Sequence, residues 1–418
     1  MPDQTPSLIL DPLPQGLVRD ADAGGADPRP GFFLHIPKTA GTSFVTMLQN
    51  LFGERRVLRL ALEDPELDTR IDAVMTRQGE EVACLNGHLP ADVMDGRMPY
   101  FRPFTILRDP IARVFSLFRF QRRNPDIERL GLRRGFSFES FLAARDPALY
   151  PQLTNGMCRM LAGERRFSQP GDDEYTHADQ HPELIERALA QLEAMDFGLA
   201  EHMGDTLRLL RHHWDIPFAL DAMVLNTTGP DAADQDWRNV MAVVERNRLD
   251  IVLYERAKDI FRSRLAALAS ETPGPGLQGM VFQPPLGQRV LLPDVAGRQG
   301  FHPWEDSGIS WLNEGPPARI HFVPPAPISR INLRLFSIGS NYPFDRVRLH
   351  LHGYPLPFSI VERNAEWCTI ETRLARAIEG VNTLAITAPL FVPVRSLDPA
   401  SIDTRNLGIA LESIAFSR

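Results

Sequence analysis

The chain of 418 residues carries 53 acidic and 45 basic side chains, a net charge of −8, and 43% of its residues are hydrophobic. This length accommodates two domains, and the acidic balance argues against a protein that coats nucleic acid through bulk electrostatics. Three widely spaced cysteines form neither a disulfide framework nor a metal-ligand cluster, which indicates a reducing compartment. Without a membrane-spanning apolar stretch or the basic start of a secretory signal, the sequence predicts a cytoplasmic protein.

Changes in composition divide the sequence into four parts. Residues 1–29 are rich in Pro, Gly, Ala and Asp, which predicts a disordered tail. Residues 30–270 alternate short apolar runs with helical patterns, as in an α/β domain with a parallel sheet flanked by helices. Residues 271–279 contain three glycines and two prolines and are predicted to form a linker. Residues 280–418 show alternating polarity and recurrent turn signals, which predict an all-β sandwich.

The apolar runs of the first large part predict strands at 32–36, 82–85, 104–107, 197–199 and 223–225. Amphipathic patterns predict helices at 182–195, 206–214 and 249–268. In the β-domain, alternation predicts strands at 330–338, 346–353, 358–362, 382–388 and 407–416.

The first predicted strand runs into HIPKTAGTSF, residues 35–44, and then into a helical pattern. The first backbone N–H groups of such a helix point into the loop and attract an anion. Gly41 would let the backbone approach the anion, Lys38 would supply charge, and the hydroxyl groups would donate hydrogen bonds; these are on Thr39, Thr42 and Ser43. The loop therefore suits a phosphate or a sulfate. The alternative is a capped helix start, with Thr42 or Ser43 as the N-cap and Lys38 in solvent.

A second strand–turn–helix pattern occurs at FTILRDPIARVFSLFRF, residues 104–120. Arg108 stands at the predicted strand end, where an open α/β sheet presents ligand-binding groups, and Ser116 lies on the helix that follows. A structural role for Arg108, paired with Asp109 or capping a neighbouring helix, is the alternative. The first loop does not fit the nucleotide-triphosphate pattern GxxxxGK[ST], because Lys38 precedes the only glycine of that loop.

Both stretches resemble sulfotransferase motifs. PKTAGTS, residues 37–43, resembles the 5′-phosphosulfate loop, and RDPIARVFSLF, residues 108–118, resembles the 3′-phosphate motif RDPxxRxxSxF. The resemblance covers about residues 31–265 and is closest to the family containing heparan sulfate 2-O-sulfotransferase and its bacterial relatives. It implies a P-loop-like fold and transfer of a sulfuryl group, without a metal, from 3′-phosphoadenosine 5′-phosphosulfate (PAPS) to a hydroxyl of a glycan or glycolipid. The implied PAPS-binding residues are Pro37, Lys38, Thr39, Ala40, Gly41, Thr42, Ser43, Arg108 and Ser116.

Transfer to a hydroxyl requires a base for the proton, and histidine has a suitable pKa. His88 closes the run EVACLNGH, residues 81–88. The resembled enzymes have HGH at this segment, so Asn86 replaces their first histidine and only His88 carries over as the base. His35, on the strand face of Phe33, is the second candidate. The resemblance assigns Lys38 to the oxygen that bridges phosphate and sulfate, and a structural role for His88 is the alternative.

Two further patterns bear on the acceptor. A run of arginines indicates either a track for an anionic glycan or a solvated surface: Arg119, Arg122, Arg123, Arg129, Arg133 and Arg134. The β-domain has three tryptophans that suggest carbohydrate binding, although at least one is expected in its core: Trp304, Trp311 and Trp367. Two other classes of function stay open, an inactive sulfotransferase-like glycan-binding or assembly protein and a nucleotide-dependent phosphotransferase.

Overall fold

The computed structural model describes residues 29–76, 82–163, 182–214, 216, 236–268 and 281–418, the last range without 306, 307, 341, 381, 400 and 402. Among these residues the chain divides into two compact units, one of 29–48 and 57–268 and the other of 49–56 and 281–418. The predicted tail (except Arg29), the predicted linker and the strand predicted at 223–225 lie outside the described residues.

A five-stranded parallel sheet forms the centre of the first unit. Its strands are β1 (Gly31–Leu34), β2 (Val57–Arg59), β3 (Cys84–Gly87), β4 (Arg102–Leu107) and β5 (Asp196–Leu199). Their order across the sheet is β2–β3–β1–β4–β5. Every residue of β1 is buried, as expected for a central strand of a parallel sheet with both faces covered. The four predicted strands that fall on described residues overlap β1, β3, β4 and β5, whereas β2 was not predicted.

Ten helices are described between β1 and residue 268. They are α1 (Gly41–Phe52), α2 (Leu67–Thr76), α3 (Pro110–Gln121), α4 (Phe138–Leu142), α5 (Tyr150–Leu153), α6 (Gly156–Ala162), α7 (Pro182–Ala194), α8 (Met203–His213), α9 (Trp237–Arg246) and α10 (Arg248–Leu268). Helix α3 starts sharply because Asp109 accepts a hydrogen bond from the Ala112 N–H at 2.8 Å and Pro110 occupies the first turn. The three predicted helices correspond to α7, α8 and α10.

A buried carboxylate joins three of these helices. Asp250 on α10 accepts hydrogen bonds from the first-turn N–H groups of α6, those of Met157 at 3.1 Å and Cys158 at 2.8 Å. Its Oδ2 lies 3.6 Å from Nη2 of Arg113 on α3, and both side chains are buried. Arg113, the second arginine of the RDPxxRxxSxF stretch, therefore holds α3 against α6 and α10.

The second unit contains two antiparallel sheets. Their strands are β6 (Arg289–Leu291), β7 (Arg298–Gln299), β8 (Ser310–Trp311), β9 (Ala318–Phe322), β10 (Ile328–Ser337), β11 (Arg348–Leu351), β12 (Tyr354–Pro355), β13 (Ser359–Arg363), β14 (Trp367–Ile378), β15 (Asn382–Thr387) and β18 (Ile409–Ser417). The strand order is β13–β14–β10–β18–β6 in one sheet, where β8 also pairs with β18, and β12–β11–β15–β9–β7 in the other. A small ribbon of β16 (Val392–Pro393) and β17 (Asn406–Leu407) flanks helix α11 (Val394–Leu397).

Both sheets bury side chains in one apolar cluster, to which β10 contributes Ile331 and Leu333 and β15 contributes Leu384 and Ile386. A shared core of this kind is what the predicted sandwich requires. The five predicted strands fall on β10, β11, β13, β15 and β18, and the twelve-residue strand β14 was missed.

The tryptophans of this unit differ in exposure. Trp311 is buried, as expected for at least one of the three, whereas Trp304 and Trp367 are partly exposed. The guanidinium carbon of Arg334 lies 3.8 Å from the centroid of a Trp367 ring. The three cysteines are buried free thiols. No helix among the described residues has both the length and the apolar character needed to cross a membrane.

Replacing Asp250 should strongly destabilise the first unit. Asp250→Ala leaves the buried Arg113 guanidinium without its counter-ion, so we expect the free energy of unfolding to fall by about 3–5 kcal/mol, measured by denaturant titration. Asp259→Ala on the same helix is the control, because Asp259 pairs with Arg262 at an exposed site. This substitution should cost at most about 0.5 kcal/mol. Equal losses in the two variants would contradict the role given to Asp250.

Candidate functional site

The loop between β1 and α1 has an unusual backbone. Lys38 and Ala40 both have φ of 69°, in the left-handed region that non-glycine residues rarely adopt. Thr39, a predicted donor to the anion, is buried, and its hydroxyl donates to the Ile36 carbonyl at 2.8 Å, which helps to shape the turn. Helix α1 already begins at Gly41. Thr42 and Ser43 therefore lie inside its first turn, and the alternative that made either residue the N-cap is wrong.

Gly41 provides space for a histidine. A β-carbon at this position would lie 1.9 Å from Nε2 of His35, so only glycine allows the imidazole to pack on the start of α1. The His35 ring also stacks on Phe33, with 5.3 Å between ring centroids, as the shared strand face predicted.

His88 lies beside His35 because β1 and β3 pair in parallel, with Leu34 opposite Gly87. The two ring centroids are 4.2 Å apart, and Nδ1 of His88 is 2.7 Å from the His35 carbonyl oxygen. A carbonyl can only accept, so Nδ1 of His88 carries a proton, and in the neutral ring Nε2 is the nitrogen with a free lone pair.

Both imidazoles favour the neutral form. Burial is the main cause that lowers the pKa of His35 to about 3, and repulsion from Arg59, from Lys38 and from His88 when it is protonated adds to the effect. The side chain of His88 is exposed to the cavity. Partial loss of contact with water nevertheless lowers its pKa, despite the opposing hydrogen bond to His35. At neutral pH the pair therefore offers an unprotonated nitrogen.

Arg108 connects the turn after β4 with the β1–α1 loop. It follows β4, and its Nη1 donates to the carbonyl oxygen of Lys38, 70 residues earlier, at 3.2 Å. Lys38 Nζ lies 4.1 Å from the ring centroid of Phe120 on α3. Burial is the main cause that lowers the pKa of Lys38 to about 8, and the positive charges of Arg108, Arg119 and Arg123 add to the effect. The site thus concentrates positive charge that an anion would neutralise.

A cavity of about 1020 Å³ opens over these groups. The predicted site residues that line it are His35, Pro37, Lys38, Ala40, Gly41, Thr42, Ser43, His88, Arg108 and Ser116. Its volume and mixed lining are those of a site for a small molecule. Among the described residues, no group of three or more His, Cys, Asp or Glu is arranged to hold a metal ion.

Several lining residues were not predicted as site residues, including Arg59, Glu63, Phe120 and Glu201. Glu201 follows β5, and its Oε1 accepts a hydrogen bond from the Asp109 N–H at 3.1 Å. The position of Glu201 just after a predicted strand was the signal that could have identified it. Within the predicted arginine track, Arg119 is half-buried and the others are exposed: Arg122, Arg123, Arg129, Arg133 and Arg134.

Residues 29–204, which contain both loops, His88 and Glu201, match the model of a family described as the Sulfotransferase family. No curated protein matches the chain. A solved sulfotransferase from Alicyclobacillus acidocaldarius is 17% identical, and the alignment covers 53% of this chain and 96% of that one with a TM-score of 0.28. Mouse sulfotransferase SULT7A1 complexed with PAP is 13% identical, with 43% and 72% covered and a TM-score of 0.21. With TM-scores this low, neither structure is used to infer a property of this chain.

Proposed function

We propose that residues 30–270 form a sulfotransferase that moves a sulfuryl group from PAPS to a hydroxyl of a carbohydrate acceptor. The family match at 29–204 supports sulfotransfer as the general activity. The proposal that PAPS is the donor rests on the contact between the two loops, where Arg108 donates to the Lys38 carbonyl at 3.2 Å. A nucleotide with phosphate groups at both its 3′ and 5′ positions needs two adjacent anion sites, and these two loops provide them.

Each loop has a distinct part in holding PAPS under this proposal. Lys38 and the first N–H groups of α1 bind the 5′-phosphosulfate, while Arg108 and Ser116 bind the 3′-phosphate. The lowered pKa of Lys38 supports this division, because an anion beside Lys38 would relieve the repulsion from Arg108 and Arg119. The proposed chemistry assigns no role to a metal ion.

In the proposed reaction, Nε2 of His88 accepts the proton of the acceptor hydroxyl, whose oxygen forms the new bond to sulfur. The bond between sulfur and the bridging oxygen breaks in line, and Lys38 stabilises the negative charge that grows on the departing phosphate. The hydrogen bond from Nδ1 of His88 to the His35 carbonyl supports this assignment, since it leaves Nε2 available. His35, with a pKa of about 3, is the weaker base and stays the second candidate.

The acceptor proposal also includes the second unit. A glycan or glycolipid acceptor would reach His88 through the open cavity, and the β-domain would bind sugar through partly exposed aromatic groups such as Trp367 beside Arg334. A cytoplasmic location, which would place the modification before export of the product, stays a prediction.

Removal of Arg108 should abolish tight binding of the reaction product, adenosine 3′,5′-bisphosphate (PAP). We expect micromolar binding by the wild type in calorimetry and a loss of at least about 30-fold in Arg108→Ala, because a charge-assisted contact to phosphate disappears. Arg262→Ala, an exposed arginine of α10, is the matched control and should bind normally. No binding of PAP by the wild type would contradict the proposed function.

Loss of Lys38 should affect the chemical step. With radiolabelled PAPS and an acceptor found by screening glycans, Lys38→Ala should lower kcat by about 100-fold or more, because the leaving oxygen loses its stabilising charge. Lys258→Ala, which removes a lysine of α10 that pairs with Glu255, is the control. A Lys38→Ala protein with a normal circular dichroism spectrum and most of its activity would refute the assignment.

The base can be identified from pH profiles. His88→Asn, which can still donate to the His35 carbonyl, should lower kcat by about 100-fold. In the wild type, kcat/KM should fall on acidification with a midpoint below 6.5, because the pKa of His88 is lowered and the ring stays unprotonated to a lower pH. His35→Asn should cost less activity than His88→Asn, and the reverse order would transfer the role of base to His35.

A further inference from the structure

Arg108 contacts two residues outside its own loop, Lys38 and Glu201. On one side its Nη1 donates to the Lys38 carbonyl at 3.2 Å, and on the other its Nε lies 3.9 Å from Oε1 of Glu201. The same Oε1 accepts from the Asp109 N–H at 3.1 Å. Glu201 therefore contacts both the backbone and the side chain of the turn that carries Arg108. This leaves Nη2 as the guanidinium nitrogen of Arg108 without a partner among the described residues.

Tyr254 fixes Glu201 from the opposite direction. Its hydroxyl donates to Oε2 of Glu201 at 2.6 Å, from within the long helix α10. Tyr254 is almost fully buried, and burial together with the negative charge of Glu201 raises the pKa of its hydroxyl. The tyrosine consequently stays a hydrogen-bond donor at any pH at which the protein works, and it anchors the carboxylate to a rigid element.

A carboxylate beside a phosphate site needs an explanation, because like charges repel. Here both carboxylate oxygens of Glu201 are used, Oε1 by the turn after β4 and Oε2 by α10. Glutamine has only one acceptor oxygen and could not satisfy both elements at once. The arrangement favours an orienting function for Glu201 over a ligand-binding one.

We propose that Glu201 and Tyr254 are positioning residues that orient Arg108 and thereby set the preference for nucleotides that carry a 3′-phosphate. This inference rests on the proposed function, in which Arg108 binds that phosphate. Arginine loses substantial side-chain freedom when it is ordered. The contacts of Arg108 with the Lys38 carbonyl and with Glu201 remove most of that freedom before the nucleotide binds. This lower entropy cost raises the affinity for ligands that contact Arg108 and does not affect ligands that do not contact it.

A comparison of PAP with adenosine 5′-monophosphate (AMP), which lacks the 3′-phosphate, tests the proposal. Calorimetry would measure PAP affinity, and displacement of PAP would measure that of AMP, for the full-length wild type, Tyr254→Phe and Glu201→Ala. We expect Tyr254→Phe to weaken PAP binding by about 5-fold and Glu201→Ala by about 10- to 30-fold, with AMP affinity changed less than about 2-fold. Glu193→Ala is the matched control, because Glu193 also pairs with α10, through Arg256, at an exposed position.

The outcomes separate this inference from the proposed function. Equal losses for PAP and AMP would show that the two residues support the cavity in general, and unchanged PAP affinity in Tyr254→Phe would show that they do not orient Arg108; either result overturns the inference alone. A wild type that binds no PAP overturns the proposed function and the inference together. Tyr254→Phe retains the buried ring, so the test does not depend on the folding of Glu201→Ala.

Discussion

The parallel pairing of β1 with both of its neighbours is the constraint on which the whole site depends. Leu34 lies opposite Gly87 of β3 and opposite Thr105 of β4. Because the three strands end at the same edge of the sheet, the residues that follow them meet there although they are far apart in sequence. His88 thus reaches His35, and Arg108 reaches the carbonyl of Lys38. A register slip on either side of β1 would separate these groups.

The two halves of the cavity differ in charge. On the side of β3 the lowered pKa values keep the imidazoles of His35 and His88 neutral, whereas on the side of α3 cations lie close together although burial and mutual repulsion lower the pKa of Lys38. A neutral acceptor of protons therefore lies next to a concentrated positive field, a combination that suits transfer from an anionic donor to a neutral hydroxyl.

The sequence predicted those parts of the site that are encoded locally. The β1–α1 loop and the turn at Arg108 each combine a strand, a turn and a helix within a short stretch, so their residue types identified them. Strand β14 was missed because Cys368 and Thr372 occupy interior positions where a strongly apolar residue would have marked the alternation. Glu201 follows a predicted strand, but its hydrogen-bond partners lie 92 and 53 residues away, so the sequence did not indicate what Glu201 contacts.

The contact between His35 and Gly41 also restricts how this protein can evolve. A β-carbon at position 41 would occupy the place of the imidazole, so even a change from glycine to alanine or serine demands a smaller or displaced side chain at position 35. The two positions therefore cannot drift independently. Homologues that keep a histidine at 35 in this orientation should keep glycine at 41. Homologues with a larger residue at 41 should pack this loop differently.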